Sequence, residues 1–303
     1  MELCAPIFGL GQCSLDHIGR IAFYPLPDGK CEFTNLVIQG GGPVATALVA
    51  LSRWRLPCYM AGMVGDDAFG KAITDSLGEE GIDIGGLKVR GGHTSQFAFI
   101  ASERESARRT IFWQRPTGRP LQPEELDLEV LQRSRLFHTD GLFMEASLFA
   151  CRKAREAGIP VVVDAGTLRE GMLDIAALSD CFIASETFSR ALSEDPLESC
   201  RILSGMGASL VGVTLGERGY VAISGGKIIQ KPAYPVKAID TTGCGDVFHA
   251  GVIYGLVQRW EVEKSLAFGA WAAAAVSTQM GGRQGIPTYA ELQARFSSVN
   301  RPG

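Results

Sequence analysis

The segment with the clearest chemical potential is DTTGCGD, residues 240–246. An extended stretch precedes it and the apolar, helically spaced VFHAGVIYGL follows, which predicts a strand-to-helix junction. The unpaired N–H groups and the dipole of such a helix start form a site for an anion. Gly243 and Gly245 let the backbone approach a phosphate, and Cys244 is small enough not to block it. Asp246 beside that site suits a base that accepts a proton from a hydroxyl attacking the phosphate.

A simpler interpretation of the same segment is that Asp246 only caps the helix and the glycines only form the turn. Aspartate is common at helix N-termini, so this residue alone supports both interpretations. Gly-x-Gly is weak evidence by itself, whereas the whole string D-T-T-G-C-G-D is much more specific.

Two further segments place glycines where a ligand could approach. Residues 40–47, GGGPVATA, put three glycines before a predicted helix, which indicates either a ligand contact or a tight connection. Asp16 is predicted at the end of the first strand, at the same sheet edge; its carboxylate could accept bonds from two sugar hydroxyls, or it could be a turn residue. Thr214 ends a predicted strand, and Gly216 and Gly219 frame a turn typical of a nucleotide pocket or of an ordinary hairpin.

The elements that must position these residues alternate along the chain. Continuous apolar strands separated by amphipathic helices predict an α/β fold with a parallel sheet covered on both faces. Two polar hairpins, at about 17–40 and 94–115, do not fit that sheet and predict a small β lid over it. We expect residues 1–303 to form a single unit.

Composition excludes several classes of function. The 303 residues carry 29 Lys and Arg against 33 Asp and Glu, a net charge of -4, and no basic run indicates nucleic acid or a membrane surface as a partner. The eight cysteines include no C-x-x-C pair, which predicts reduced thiols in a cytoplasmic protein rather than a zinc site. The N-terminal segment predicts a strand rather than a signal peptide, and the apolar residues 266–276 are too few to span a bilayer.

These segments resemble the signatures of a known family. DTTGCGDVFHAG is similar to the C-terminal signature of the ribokinase-like (PfkB) carbohydrate kinases, and residues 40–54 and 61–83 are similar to their N-terminal signature. VTLGERG and GGRQGIP stand where the family has its nucleotide-binding turn and its cation-site loop. The resemblance covers essentially the whole chain. Within the family, GGGP-ATA, DVFHAG and GGR-GIP are most similar to bacterial ketose-type kinases, including sulfofructose kinase.

The resemblance implies a ribokinase-like, doubly wound, mostly parallel sheet with a β lid, and ATP-dependent, Mg²⁺-assisted phosphorylation of a sugar hydroxyl. It makes Asp246 the base and gives the anion hole to the backbone of Gly243, Cys244 and Gly245. The sugar-binding residues it implies are Asp16, Gly41, Gly42 and Thr46, and those bordering ATP are Thr214, Gly216 and Gly219. Those around a monovalent cation such as K⁺ are Asp240, Thr242, Gly282 and Gly285. Gln96 and Trp113, from the predicted lid, are further candidates for sugar contacts, and Trp113 could equally serve lid packing. Glu186 is a further candidate for the nucleotide side of the site.

The sequence departs from the family pattern at several positions. Thr46 stands where Asn is usual and Cys244 where Ala is frequent. The family's N-x-x-E motif, linked to magnesium, falls on SETF, Ser185 to Phe188, where Ser replaces Asn and Phe replaces Glu. Glu186 could substitute for it through a water molecule. Gly285 stands where Ser is common, which leaves potassium dependence open.

Two alternatives to a sugar kinase remain at this stage. The acceptor could be a nucleoside, with Phe97, Phe99 and Trp113 as aromatic walls for its base. The protein could also be a non-catalytic sugar or nucleotide sensor, a reading that rests only on the altered SETF segment. Exposed strand edges in the lid suggest a homodimer formed through it.

Overall fold

A computed structural model describes residues 5–105 and 107–296. Its larger sheet has nine strands, all parallel except the last two, which form an antiparallel hairpin at one edge. Their spatial order is β13 (Lys227–Lys231), β12 (Tyr220–Ser224), β11 (Leu210–Thr214), β10 (Cys181–Ser185), β9 (Val161–Ala165), β8 (Leu136–Thr139), β1 (Ile7–Leu10), β4 (Cys58–Gly65) and β5 (Asp83–Arg90). The chain moves outward from β1 in both directions, so the doubly wound α/β prediction is confirmed.

Ten α-helices accompany these strands within the described ranges. They are α1 (Pro43–Arg53), α2 (Ala68–Glu79), α3 (Leu128–Gln132), α4 (Met144–Glu156), α5 (Met172–Leu178), α6 (Glu186–Arg190), α7 (Pro196–Ser204), α8 (Cys244–Val257), α9 (Val262–Val276) and α10 (Tyr289–Phe296). One apolar core joins the sheet to α1, α8 and α9, and a second joins its other face to α4, α5 and α7. Both faces are therefore covered, which is why the central strands are continuously apolar.

Helix α8 packs tightly against α9. A side chain at Gly251 would lie 2.5 Å from the Cα atom of Gly269, so only glycine allows the two backbones to come this close. Nine consecutive residues of α8 are buried, from Val247 to Gly255. The contact holds the helix rigidly and thereby fixes the position of its first turn.

A second, four-stranded sheet is confirmed beside the first. Its order is β3 (Thr34–Gly41), β2 (Ser14–Ile21), β6 (Phe97–Glu103) and β7 (Arg109–Gln114). The expectation that Asp16 ends the first strand is wrong. The chain leaves the large sheet after Leu10, and Asp16 lies within β2 of the small sheet. Only residues 11–13 separate β1 from β2, and two of these three are buried, so the sequence looks like one continuous strand.

The cysteines of the described residues form no disulfide bonds. Seven cysteines are free thiols, and Cys4 lies outside the described residues. Across residues 5–105 and 107–296, no helix combines the length and the apolar character that crossing a membrane requires.

Candidate active site

The turn before α8 is built around a buried carboxylate. Oδ1 of Asp240 accepts hydrogen bonds from the N–H of Thr242 at 3.0 Å and from its hydroxyl at 2.8 Å, and Oδ2 accepts one from the N–H of Gly281 at 2.9 Å. Gly243 then begins the helix with φ 75°, and a side chain there would lie 2.5 Å from the Cα atom of Gly282. Asp240 therefore joins the turn to the loop at residues 279–286.

Asp246 lies in the first turn of α8 and is partly buried. Burial raises its pKa well above the ordinary value, and the neighbouring carboxylates of Asp164 and Asp16 raise it further. The guanidinium groups of Arg109 and Arg283 act in the opposite direction. The N–H of Cys244 donates a long hydrogen bond, 3.4 Å, to the carbonyl of Thr241. A desolvated carboxylate in the first turn of a helix has the environment of a general base. Burial also raises the pKa of the Cys244 thiol, to about 12, so the thiol stays protonated.

Asp16 faces the start of α1 from the small sheet. It is 7% exposed, its Oδ1 accepts a 2.7 Å hydrogen bond from the Ser14 hydroxyl, and burial raises its pKa. Any side chain at Gly41 would collide with this carboxylate, and Gly42 caps α1 with φ 96°. The structure thus brings Asp16 and the glycines together. Thr46 is buried one turn later, its N–H bonded to the carbonyl of Gly42 at 2.9 Å.

The register of the small sheet places Trp113 on the same face as Asp16. Asp16 pairs with Ala98 and Ala98 pairs with Trp113, so the three stand in one row. Trp113 is 49% exposed and carries the Arg115 guanidinium 4.8 Å above its ring. Gln96, just before β6, is buried, and its Oε1 has no hydrogen-bond partner among the described residues.

Phe97 and Phe99 belong to the opposite face of the small sheet. They pair with Leu15 and His17, the neighbours of Asp16 on either side, and strand residues alternate between faces. The expectation that these two rings stand with Trp113 as walls of one pocket is therefore wrong, because a one-residue offset reverses the face.

The two sheets are tied together near the anion site. Nη1 of Arg109, from β7, donates to Oγ1 of Thr241 at 2.7 Å. The hydroxyl of Ser102, from β6, donates to the carbonyl of Ile239 at 3.4 Å. The small sheet therefore contacts the segment that leads into the first turn of α8.

The residues expected to border ATP lie at the carboxyl ends of β10 and β11. Thr214 ends β11, and its hydroxyl donates to the carbonyl of Ala184 at 3.4 Å. Gly216 and Gly219 have φ of 60° and 91°, as the tight turn between β11 and β12 requires. Glu186 forms ion pairs with Arg190 and, at 2.8 Å, with Arg218 of that turn.

The SETF segment is used for local structure. The Ser185 hydroxyl accepts a hydrogen bond from the N–H of Phe188 at 3.1 Å and donates one to the carbonyl of Gly166 at 2.7 Å, so it caps α6. Phe188 is fully buried in the apolar core. Within residues 5–105 and 107–296, no group of three or more His, Cys, Asp or Glu side chains could hold a metal ion.

Arg283 and Asp164 belong to the site but were missed by sequence reasoning. Arg283 is 4% exposed, donates to the Ser76 hydroxyl at 3.1 Å, and lies against Gly40. Its backbone carbonyl accepts a 2.5 Å hydrogen bond from Arg53. Asp164, near the end of β9, lies 3.4 Å from the imidazole of His249. Two signals were available in the sequence. Arg283 is a charged residue inside the GGRQGIP loop, and Asp164 is a charged residue near the end of an apolar strand.

Residues 9–289 match the pfkB family of carbohydrate kinases. The chain belongs to the PfkB family of carbohydrate kinases. A ribokinase from Haemophilus influenzae is 24% identical over 295 residues, covering 93% of this chain and 95% of that protein. A fructokinase from Klebsiella pneumoniae is 29% identical over 294 residues, covering 88% and 94%.

The fold of this PfkB kinase is also that of solved structures. The structure of Arabidopsis thaliana ribokinase complexed with ribose and ATP superposes with a TM-score of 0.81 at 21% identity, covering 96% of this chain and 98% of that one. The protein is thus an ATP-dependent phosphotransferase whose acceptor is a sugar hydroxyl. The mostly parallel sheet, its helices and the small second sheet are the ribokinase-like fold.

Proposed function

We propose that this kinase phosphorylates a ketose or ketose derivative, with Asp246 as the general base. The observation that carries the proposal is the position of Asp246, a carboxylate in the first turn of α8 beside the N–H groups of Gly243, Cys244 and Gly245. A helix N-terminus that served only to bind phosphate would not be expected to carry a carboxylate beside the phosphate, because the two negative charges repel each other. In our proposal Asp246 accepts the proton of the acceptor hydroxyl while those N–H groups stabilise the charge of the transferred phosphoryl group.

The acceptor would lie between the small sheet and the start of α1. Asp16 would accept hydrogen bonds from two sugar hydroxyls, Trp113 would stack on the apolar face of the ring, and Gln96 has an unused amide oxygen for a further hydroxyl. Gly41 lets the Asp16 carboxylate approach the start of α1, Gly42 lets the chain pass the carbonyl of Gln12, and Thr46 would border the sugar. Closure of the small sheet, acting as a lid, would exclude water that otherwise accepts the phosphoryl group.

A ketose is favoured by the fructokinase from Klebsiella pneumoniae, which is 29% identical to this chain, and by the segments that resemble ketose-type kinases. A nucleoside is the alternative acceptor. It is supported less well because Phe97 and Phe99 stand on the face of the small sheet that points away from Asp16. Trp113 alone remains as an aromatic wall.

ATP would lie along the carboxyl ends of β10 and β11, next to Thr214, Gly216 and Gly219. Bound Mg²⁺ would supply charge neutralisation at the phosphates, and its ligands would be mainly those phosphates, because Ser185 and Phe188 serve as a cap and as core. Glu186 could reach it through water only by leaving its ion pairs with Arg190 and Arg218.

A monovalent cation such as K⁺ fits the loop beside Asp240. This carboxylate is fully buried, yet among the described residues no Lys, Arg or His side chain forms an ion pair with it. Thr242, Gly282 and Gly285 would line the cation with oxygen atoms. At Gly285 any side chain would come within 2.7 Å of the carbonyl of Val276, which accounts for a glycine there.

The face of the small sheet opposite Asp16 supports a homodimer formed through the lid. It exposes large apolar side chains that a monomer rarely leaves in water: Leu36, Ile38, Phe99 and Phe112. The occupant in our proposal is a second copy of the chain, because two such apolar faces would cover each other. Free thiols at the seven described cysteines support a location in the cytoplasm.

The test is ADP release with Mg-ATP across ketoses, aldoses, sugar phosphates, sugar sulfonates and nucleosides, with and without K⁺. We expect a ketose or ketose derivative to raise the rate far above the rate without acceptor. A nucleoside as the single productive acceptor would overturn the ketose assignment. A flat panel with intact ATP binding would favour the non-catalytic sensor.

A further inference from the structure

His249 lies on α8, one turn after Asp246, and is 3% exposed. Both of its ring nitrogens face backbone carbonyl oxygens. Nδ1 lies 2.7 Å from the carbonyl of Gly245 and Nε2 lies 3.2 Å from that of Ile183, at the centre of β10. A carbonyl oxygen only accepts hydrogen bonds, and a neutral imidazole has a single N–H to donate. Only the doubly protonated imidazolium donates to both partners.

A counter-charge for this cation stands at the end of β9. Oδ2 of Asp164 is 3.4 Å from Nδ1 of His249, and both side chains are buried. The other titratable neighbour is His138 of β8, whose ring stacks on that of His249 with 6.1 Å between centroids. Burial, and next the Coulombic effect of His249, lowers the pKa of His138 to about 3, so His138 is neutral.

This ion pair lies directly behind the first turn of α8. The Gly245 carbonyl that His249 binds belongs to the peptide group that joins Gly245 to Asp246, so the contact fixes the backbone at Asp246. Asp164 is also the largest charged contribution that raises the pKa of Asp246, whose other charged neighbours are Arg109, Asp16 and Arg283. A positive charge on His249 would partly neutralise Asp164 and so oppose the rise that Asp164 causes in the pKa of Asp246.

We propose that His249 is an imidazolium in the folded protein and acts as a positioning residue, which fixes the first turn of α8 and keeps Asp246 ionised as the base. The inference rests on the proposed role of Asp246. His249 itself touches neither substrate, and its effect reaches the reaction through the Gly245 carbonyl and through the charge of Asp164.

The first test is the protonation state of His249 in the ligand-free protein, read from long-range ¹H–¹⁵N spectra of the histidine side chains. The signal is assigned by its loss in His249→Gln. We expect two protonated ring nitrogens at pH 7, and a smaller fraction of the protein with both nitrogens protonated in Asp164→Asn. A neutral ring at pH 7 would overturn the proposal. This readout needs no turnover, so it stands even if no acceptor is found and the proposed function fails.

The second test is the pH dependence of kcat/KM in His249→Gln. Without the positive charge the acidic limb should move to higher pH by about one unit, because Asp246 then ionises less readily. The control is Asp180→Asn, whose carboxylate binds the N–H of Val161 at the opposite end of β9 and should leave the limb in place. An unmoved limb in His249→Gln, with only a lower melting temperature, would reduce His249 to a structural residue.

Discussion

Nη1 of Arg109 donates a hydrogen bond to Oγ1 of Thr241 over 2.7 Å. This bond joins the small sheet, which carries Asp16 and Trp113, to the turn that presents the anion site. In the proposed mechanism this bond would connect the lid to the phosphoryl end of the site, so that the acceptor and the anion hole would be positioned together.

Replacing this arginine tests the connection. Arg109→Met should lower kcat/KM for the sugar by about tenfold, the equivalent of one hydrogen bond to a charged group. ADP formed without acceptor should become a larger share of the total, because a loosened lid admits water. Arg104→Met, an exposed position in the β6–β7 turn, is the control. Unchanged coupling of ADP to sugar phosphate in Arg109→Met would contradict the assignment.

Gly243→Ala tests the anion hole. Alanine would have to adopt the left-handed φ of 75° that residue 243 has in the structure. Its methyl group would also lie 2.5 Å from the Cα atom of Gly282. We expect kcat to fall by about 10²-fold or more and stability to fall as well. Gly158→Ala has a similar φ of 71° and no atom within 4 Å of the new methyl group, so it should lose stability alone. Equal activity in Gly243→Ala and Gly158→Ala would contradict the assignment of the anion hole to the turn at Gly243.

Arg283→Met tests the buried guanidinium near Asp16. Arg283 lowers the pKa of Asp16, which burial raises, so its loss leaves more of Asp16 protonated at a given pH. The KM for the sugar should rise by about tenfold, and more at pH 6 than at pH 8, with a smaller effect on kcat. Arg283→Lys should restore part of the affinity. A KM increase that is independent of pH would indicate a packing defect, and thermal unfolding measures that separately.

The ion pair between Glu125 and Arg90, which lies outside the candidate site, should make the stability of the fold depend on pH. The Glu125 oxygens bind Arg90 at 2.7 and 2.8 Å, which lowers the pKa of Glu125 from 4.5 to about 2. A lowered pKa stabilises the fold above pH 4.5, and this contribution is lost as the pH falls toward 2. Glu125→Gln should therefore cost about 2 kcal/mol at pH 7 and little at pH 2. Glu124→Gln, in an exposed pair with Arg119, should change little at either pH in chemical denaturation.

The turn and helix around Asp246 were predictable because their signals are local, but the strand expected before them was a wrong prediction, since residues 232–243 form no strand. Glycines at the turn, apolar residues at helical spacing and a carboxylate between them all lie within 18 residues, 239–256. The turn at Gly216 and Gly219 was predictable for the same reason, since a glycine with positive φ has few alternatives.

The position of Asp16 and the roles of Arg283 and Asp164 were not predictable in this way. Asp16 was assigned to the wrong strand because only three residues, 11–13, separate the end of β1 from the start of β2. The contacts of Arg283 with Ser76 and of Asp164 with His249 join residues that are far apart in the chain. Side-chain chemistry at such positions depends on the folded topology, which a single sequence does not display.

The most direct test of the whole account is Asp246→Asn. The variant should bind ATP with unchanged affinity, as measured by calorimetry, because the backbone of the turn is intact. With the acceptor that the wild type uses, kcat should fall by about 10²–10⁴-fold, since the group that accepts the hydroxyl proton is gone. Turnover close to that of the wild type would show that Asp246 only caps α8 and that the base lies elsewhere.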